Sequence, residues 1–218
     1  KRLAIILFIF SFSYAQETKA EKDPEPVVNQ PKQAEKTKKK TMEEALKNTI
    51  KNPGLFNIYQ DTTSGKAYML VKKDQLDKEF IHFVHGLNGQ LNAGVFKGSY
   101  RGAKIFKLKK YFNRIEFEVQ NNAMYFDPKN PLSRSANANV SSAILASSVI
   151  LSEENNEYLI DVDNIFLTES IHQISRGFVP GGANKNPFKI GRLAKERTKY
   201  SNIKNYPENT DLIVQYVY

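Results

Sequence analysis

The sequence predicts a mainly β chain, a β-rich α+β fold in which antiparallel hairpins form a sheet or sandwich with a few short helices. Residues 104–119 carry the clearest sign. Phe106 and Leu108 fall on one face of a first alternating run, Ile115, Phe117 and Val119 on one face of a second, and Tyr111-Phe112-Asn113-Arg114 is the turn between them. Two further pairs of apolar runs, 55–60 with 67–71 and 144–151 with 158–162, flank short polar segments as hairpins do. Glycine and proline punctuate much of the remainder, and no internal repeat of fixed period is present.

With 218 residues, 40% hydrophobic and 11% aromatic, the chain is long enough for one sizeable domain or two small ones. Residues 1–15 read as a signal peptide. Lys1-Arg2 precede an apolar run over 3–10, and Ser13 and Ala15 stand at the −3 and −1 positions of a cleavage site after Ala15. That run is shorter than the ~20 residues a membrane span requires. The chain is therefore expected to be exported, to the periplasm, the outer surface or the medium, with no stable membrane span after cleavage. It contains no cysteine, which excludes a lipoprotein anchor, disulfides and thiolate metal sites. Residues 16–40 are rich in Lys, Glu, Gln and Pro and are expected to form a disordered linker, leaving 41–218 as the folded domain. The start without Met and the end inside the alternating run 212–218 suggest a fragment truncated at the C-terminus.

A formal charge of +9 raises the question of nucleic acid. Much of the excess lies in the signal and linker segments, and Lys107 and Lys109 face Glu116 and Glu118 as cross-strand partners, so no nucleic-acid partner is expected.

In chain order, Thr41 with Glu44 three residues on has the spacing of a capping box, and the helix it opens should end before Pro53-Gly54. The first hairpin follows, then one helical turn over 74–78 and a strand over 80–85. Gly86-Leu87-Asn88-Gly89 and Gly94, Gly98 and Gly102 mark loop or irregular strand before the opening hairpin. After 123–126 and a turn at Asp127-Pro128 comes the third hairpin, with 152–156 as its loop. Asp163 is placed to cap a short helix containing Ile165, Phe166 and Leu167. Residues 176–192 are expected to be a long loop, and Tyr206-Pro207-Glu208-Asn209 a turn into the last strand.

No constellation in this chain names a reaction. His82 and His85 lie three apart in a strand-like run, which places them on opposite faces rather than on one metal. His172 has no acidic neighbour at ligand spacing, and no His-Glu-x-x-His is present. Glu116 and Glu118 share a face as a glycosidase pair could, but the lysine ladder accounts for them. Asp161 and Asp163 flank Val162 without the Gly and Glu of a calcium loop. The serines of 133–148 sit in no nucleophile elbow, and Gly181-Gly182-Ala183-Asn184-Lys185 lacks phosphate-loop spacing. The expected catalytic, cofactor-binding and metal residues are none, and no cofactor is expected within 1–218.

Several stretches read as a series resemble a known family. Gly54-Leu55-Phe56-Asn57-Ile58-Tyr59, Asp74-Gln75-Leu76-Asp77-Lys78-Glu79-Phe80, Tyr158-Leu159-Ile160-Asp161-Val162 with Ile165-Phe166-Leu167, and residues 199–209 through Tyr206-Pro207-Glu208-Asn209 are similar to segments of the large exported zinc-dependent metalloproteases of the Bacteroidetes. The likeness spans roughly 41–218. It implies the N-terminal domain of unknown function that precedes the peptidase domain, with the zinc site downstream of Tyr218. The resemblance thus implies a scaffold, a prodomain-like cover or a substrate-positioning module. Its partners would be the peptidase domain of the same chain and a protein or peptide substrate. The alternative is a stand-alone exported module for a glycan or surface partner, for which Tyr100, Tyr111, Phe112 and Tyr125 are the candidate contact aromatics.

Overall fold

The computed structural model describes residues 41–89, 95–121, 127, 129–131, 133, 142–174 and 191–218. The signal peptide and linker of 1–40, the 123–126 segment with Tyr125, most of the 176–192 loop and the Gly181–Lys185 stretch lie outside them.

Among the described residues the fold is β-rich, as its alternating runs require. Eight antiparallel strands form one sheet in the order β1-β2-β3-β8-β7-β6-β5-β4, and β9 and β10 form a second. The strands are β1 Thr49–Asn52, β2 Asn57–Asp61, β3 Ala67–Lys72, β4 Glu79–His85, β5 Tyr100–Tyr111, β6 Arg114–Val119, β7 Ala143–Glu154, β8 Glu157–Asp161, β9 Lys199–Tyr206 and β10 Asn209–Gln215. Thus β1–β3 make a meander, the chain crosses to the far edge at β4, and β5–β8 return strand by strand until β8 pairs with β3. Two short helices accompany them, α1 Met42–Leu46 and α2 Asp163–Phe166.

The local chemistry behind these elements is specific. Thr41 and Glu44 close the capping box of α1, and Met42 N–H donates to Glu154 Oε1 at 2.8 Å, tying the helix to the end of β7. The helix stops at Leu46, earlier than its Pro-Gly stop signal, because residues 49–52 pair with β2 as β1. In the β2–β3 loop Asp61 Oδ1 accepts from Thr63 N (2.8 Å) and Ser64 N (2.6 Å), and Gly65 at φ 73° completes the turn. The β7–β8 loop is tighter than 152–156. Only Asn155 and Asn156 turn, both at positive φ (50° and 64°), and the flanking residues extend the ladder. Asp163 is the first residue of α2 rather than its cap. Its carboxylate instead accepts the Ala67 N–H at 3.0 Å, joining α2 to β3.

One side of the large sheet holds the core. Ile58, Met69, Ile160 and Ile150 form a row across β2, β3, β8 and β7, each almost wholly removed from water. Leu108, Ile115 and Phe117 of the central hairpin continue it, as the two-residue period predicts. An aromatic chain, Phe56 to Phe80 to Phe106 to Phe117 to Phe166, has centroid steps of 4.8 to 6.5 Å and runs from the residue before β2 through β4, β5 and β6 to α2. Tyr200, Ile203 and Leu212 of the β9–β10 hairpin pack against the same core.

The charged ladder departs from expectation. The register pairs Lys107 with Glu118 and Lys109 with Glu116. The closest contacts run elsewhere, however: Lys109 to Glu118 (3.0 Å), Lys107 to Glu79 on β4 (3.4 Å), and Arg114 to Glu116 (2.7 Å). Glu116 is only 7% exposed, so this face is not a solvated ladder throughout.

Candidate functional site

The strand β4 alternates exposed and half-buried along its whole length, so His85 points outward with Ile81 and Phe83 while His82 points inward with Phe80 and Val84. The two histidines therefore lie on opposite faces, as their spacing predicts.

What the sequence separates, the fold brings together on the inner side. His82 stands directly across the ladder from Lys104 of β5. Lys104 Nζ donates to the carbonyl of Ile171 at 2.9 Å, which anchors the 167–174 segment over the strand pair and carries His172 toward His82. Beneath them is a small cavity of about 30 Å³, room for roughly one water, lined by His82, Lys104, Phe106, Phe117, Phe166 and Ile171 among others. Burial, followed by His172 and Lys104, pushes the His82 imidazole down to about 4. Burial, then Arg101 and Lys104, also lowers His172, with Glu169 opposing. Both rings are consequently neutral at physiological pH.

Arg101 reaches this place through a β-bulge. Val84 pairs with Gly102 and His85 with Tyr100, leaving Arg101 as the extra residue, and Gly102 takes φ 142°. Tyr100 stays on the outer face, its ring 5.4 Å from that of Phe83. Arg101 Nε is buried and has no hydrogen-bond partner among the described residues.

The donor set does not suit a metal. Lys104 and Arg101 are the near neighbours of the two histidines, and among the described residues no three His, Asp or Glu side chains converge. Asp161 and Asp163 are used within the fold. Asp161 Oδ1 accepts Asp163 N–H at 2.8 Å, and burial raises Asp163 while the Ala67 N–H opposes it. The Tyr200 hydroxyl is buried close to Asp163 but outside hydrogen-bond geometry, and burial with that carboxylate pushes its ionisation far up. Glu116 is held by Arg114, and Glu118 by Lys109 and Gln120. Ser148 Oγ donates to the Asp161 carbonyl at 2.7 Å, a structural bond rather than an activated nucleophile.

Three of the four contact aromatics are exposed, Tyr100 at 63%, Tyr111 at 51% and Phe112 at 80%. They do not form one platform. Tyr100 and Tyr111 open and close β5, about 36 Å apart along an extended strand.

The residues that carried the family resemblance meet as well. Leu55 N–H donates to Tyr206 O at 2.7 Å, and Asn205 Nδ2 lies 2.7 Å from Asn52 O and 2.6 Å from Phe56 O. Thr210 Oγ1 donates to Asn205 Oδ1 (2.7 Å) and accepts from Phe56 N (3.3 Å). These bonds seam the β9–β10 hairpin to the turn before β2.

Residues 98–216, more than half of the chain, match the family described as Domain of unknown function (DUF5117). The chain belongs to the DUF5117 family. No curated protein and no solved structure matches it. The matched span of the DUF5117 domain begins just before the Arg101 bulge and ends within the last residues, so it takes in β5 to β10. Of the basic cluster, His172 lies within the matched span and His82 before it, and in sequence both stand out only as isolated histidines. The signal for Arg101 was Gly102, which breaks the alternation of its strand.

Proposed function

We propose that this DUF5117 chain is the non-catalytic N-terminal domain of an exported zinc-dependent metallopeptidase of the Bacteroidetes type, serving as a scaffold for the peptidase domain. One observation carries the reading. The residues that resemble the metallopeptidases, Gly54-Leu55-Phe56 and the run from Tyr200 to Asn209, are spent on the seam between the two sheets, and Tyr158, Ile160 and Ile165 on the core. Residues shared for the sake of a fold go to such places, whereas residues shared for chemistry converge on a cleft. The zinc, which would activate water for peptide hydrolysis, belongs in this reading to a His-Glu-x-x-His beyond Tyr218. Reading the coding sequence past Tyr218 tests it: that motif in frame supports the proposal, and a stop codon directly after Tyr218 overturns it.

A second reading, a glycan- or surface-binding module, is favoured by the outward Phe83–Tyr100 pair beside His85 on the edge strand. Affinity electrophoresis of the chain in polysaccharide gels checks it. Retardation that Tyr100→Ala abolishes supports a binding module, and unchanged mobility in every gel counts against it.

A further inference from the structure

We propose that the inner face at the Arg101 bulge is a binding site for an oxyanion, a carboxylate or a phosphate group, held by Arg101 and Lys104 with His82 and His172 beside them.

The argument begins with charge balance. Arg101 makes no hydrogen bond or ion pair with any described residue, and its Nε is buried. Lys104 donates only to a neutral carbonyl, that of Ile171. The carboxylate nearest the cluster, Glu169, is already engaged: its Oε1 accepts from Ile174 N at 3.2 Å and from the Tyr218 hydroxyl at 2.7 Å. Glu79 pairs with Lys107. The stretches 90–94, 122–126, 134–141 and 175–190 contain no Asp or Glu. Among the described residues, then, no carboxylate pairs with either cation, and a partly buried cation without a counter-charge is costly.

The geometry explains how the cost arises and what would offset it. The bulge turns a residue that regular pairing would leave on the outer face toward His172, and bulges re-aim side chains in this way beside binding sites. His82 and Lys104 border a small space with an apolar floor of Phe106, Phe166 and Ile171, and the Arg101 guanidinium stands close enough to His172 beside it for its charge to be felt there. Planar nitrogen donors of this kind match the oxygens of carboxylate and phosphate. The apolar floor excludes water and strengthens the contact. The neutral histidines fit too: burial first, and after it the nearby charges, including cations that an anion would neutralise, hold both below the usual imidazole range.

The chain carries its own reporters. It has three histidines, of which His82 and His172 face the site and His85 faces away. Proton NMR of the imidazole Cε1–H resonances of the 218-residue chain is followed while sodium acetate or sodium phosphate is added against sodium chloride of equal ionic strength. The expected result is a saturable shift of His82 and His172, with a raised titration midpoint, while His85 follows the chloride control. Saturation by acetate identifies a carboxylate site, and saturation by phosphate identifies a phosphate site. Arg101→Lys, which keeps the charge but removes the Nε–H, and Lys104→Gln should each bind about tenfold more weakly or worse. Lys109→Gln on the outer face should bind as the unmodified chain does. Shifts that never saturate with either anion, equal movement of His85, or undiminished binding by a folded Arg101→Lys or Lys104→Gln chain would overturn the proposal.

Discussion

Asn205 occupies the space that a side chain on Gly54 would need, since a Cβ on Gly54 would fall 2.0 Å from Asn205 Oδ1 and 2.7 Å from Tyr206 O. The amide cannot step aside cheaply, because Asn52 O, Phe56 O and Thr210 Oγ1 all hold it. Gly54→Ala is therefore expected to destabilise the fold by about 2–4 kcal/mol, and Asn205→Ala by about 1–3 kcal/mol through the carbonyls it leaves unpaired. The double variant should cost less than the sum of the two. Urea unfolding of the four chains measures this, and strict additivity would show that the contact is not the cause.

Phe112 adopts φ 49° at the tip of the β5–β6 hairpin with its ring 80% exposed, a conformation that disfavours any residue with a Cβ. Phe112→Gly should raise stability by about 0.5–1 kcal/mol, visible as a Tm higher by a few degrees. A lower Tm would mean that its edge-on contact with Tyr111, at 4.8 Å, outweighs the backbone strain.

Glu116 is buried beside Arg114, with the guanidinium 2.7 Å from its carboxylate. Arg114→Leu leaves that carboxylate without its nearest cation and should cost about 2–4 kcal/mol, while the double replacement with Glu116→Leu should recover part of the loss. Lys109→Leu should cost less than about 1 kcal/mol, because Glu118 still accepts from Gln120 Nε2 at 3.1 Å. Thermal unfolding of the set ranks them, and a larger loss for Lys109→Leu would refute the assignment.

His82 makes stability depend on pH. Burial, then His172 and Lys104, lowers it to about 4 in the folded chain, while the unfolded chain titrates near 6.5. Between those values the unfolded state binds more protons, so stability is full above pH 6.5 and is lost as pH falls toward 4. Allowing for its partial exposure, the loss is on the order of 1–2 kcal/mol, with His172 adding in the same direction. Denaturant midpoints at pH 7 and pH 4.5 should differ accordingly, and the difference should shrink in His82→Leu. An equal pH effect in that variant would place the titration elsewhere.

The hairpins were legible because side-chain period and turn chemistry are local. Phe106, Leu108, Ile115, Phe117 and Val119 announce their faces, and Asn155-Asn156 its turn, without reference to the rest of the chain. β1 was not legible, since Thr49-Ile50-Lys51-Asn52 alternates too briefly to compete with a helix signal until β2 pairs with it. The basic cluster was hidden for the same reason on a larger scale. Arg101, His82 and His172 span 91 positions, and only the bulge and the Lys104–Ile171 bond bring them to one place.

The sequence by itself determined the strand periodicity, the opposite faces of His82 and His85, and the absence of cysteine chemistry. All of these depend on residue identity and near neighbours alone. Only the tertiary structure decided the strand order, the burial of Glu116, and the approach of Arg101 and Lys104 to two neutral histidines. Those depend on which distant segments share one low-dielectric space, and charge is felt there in a way that no local spacing encodes.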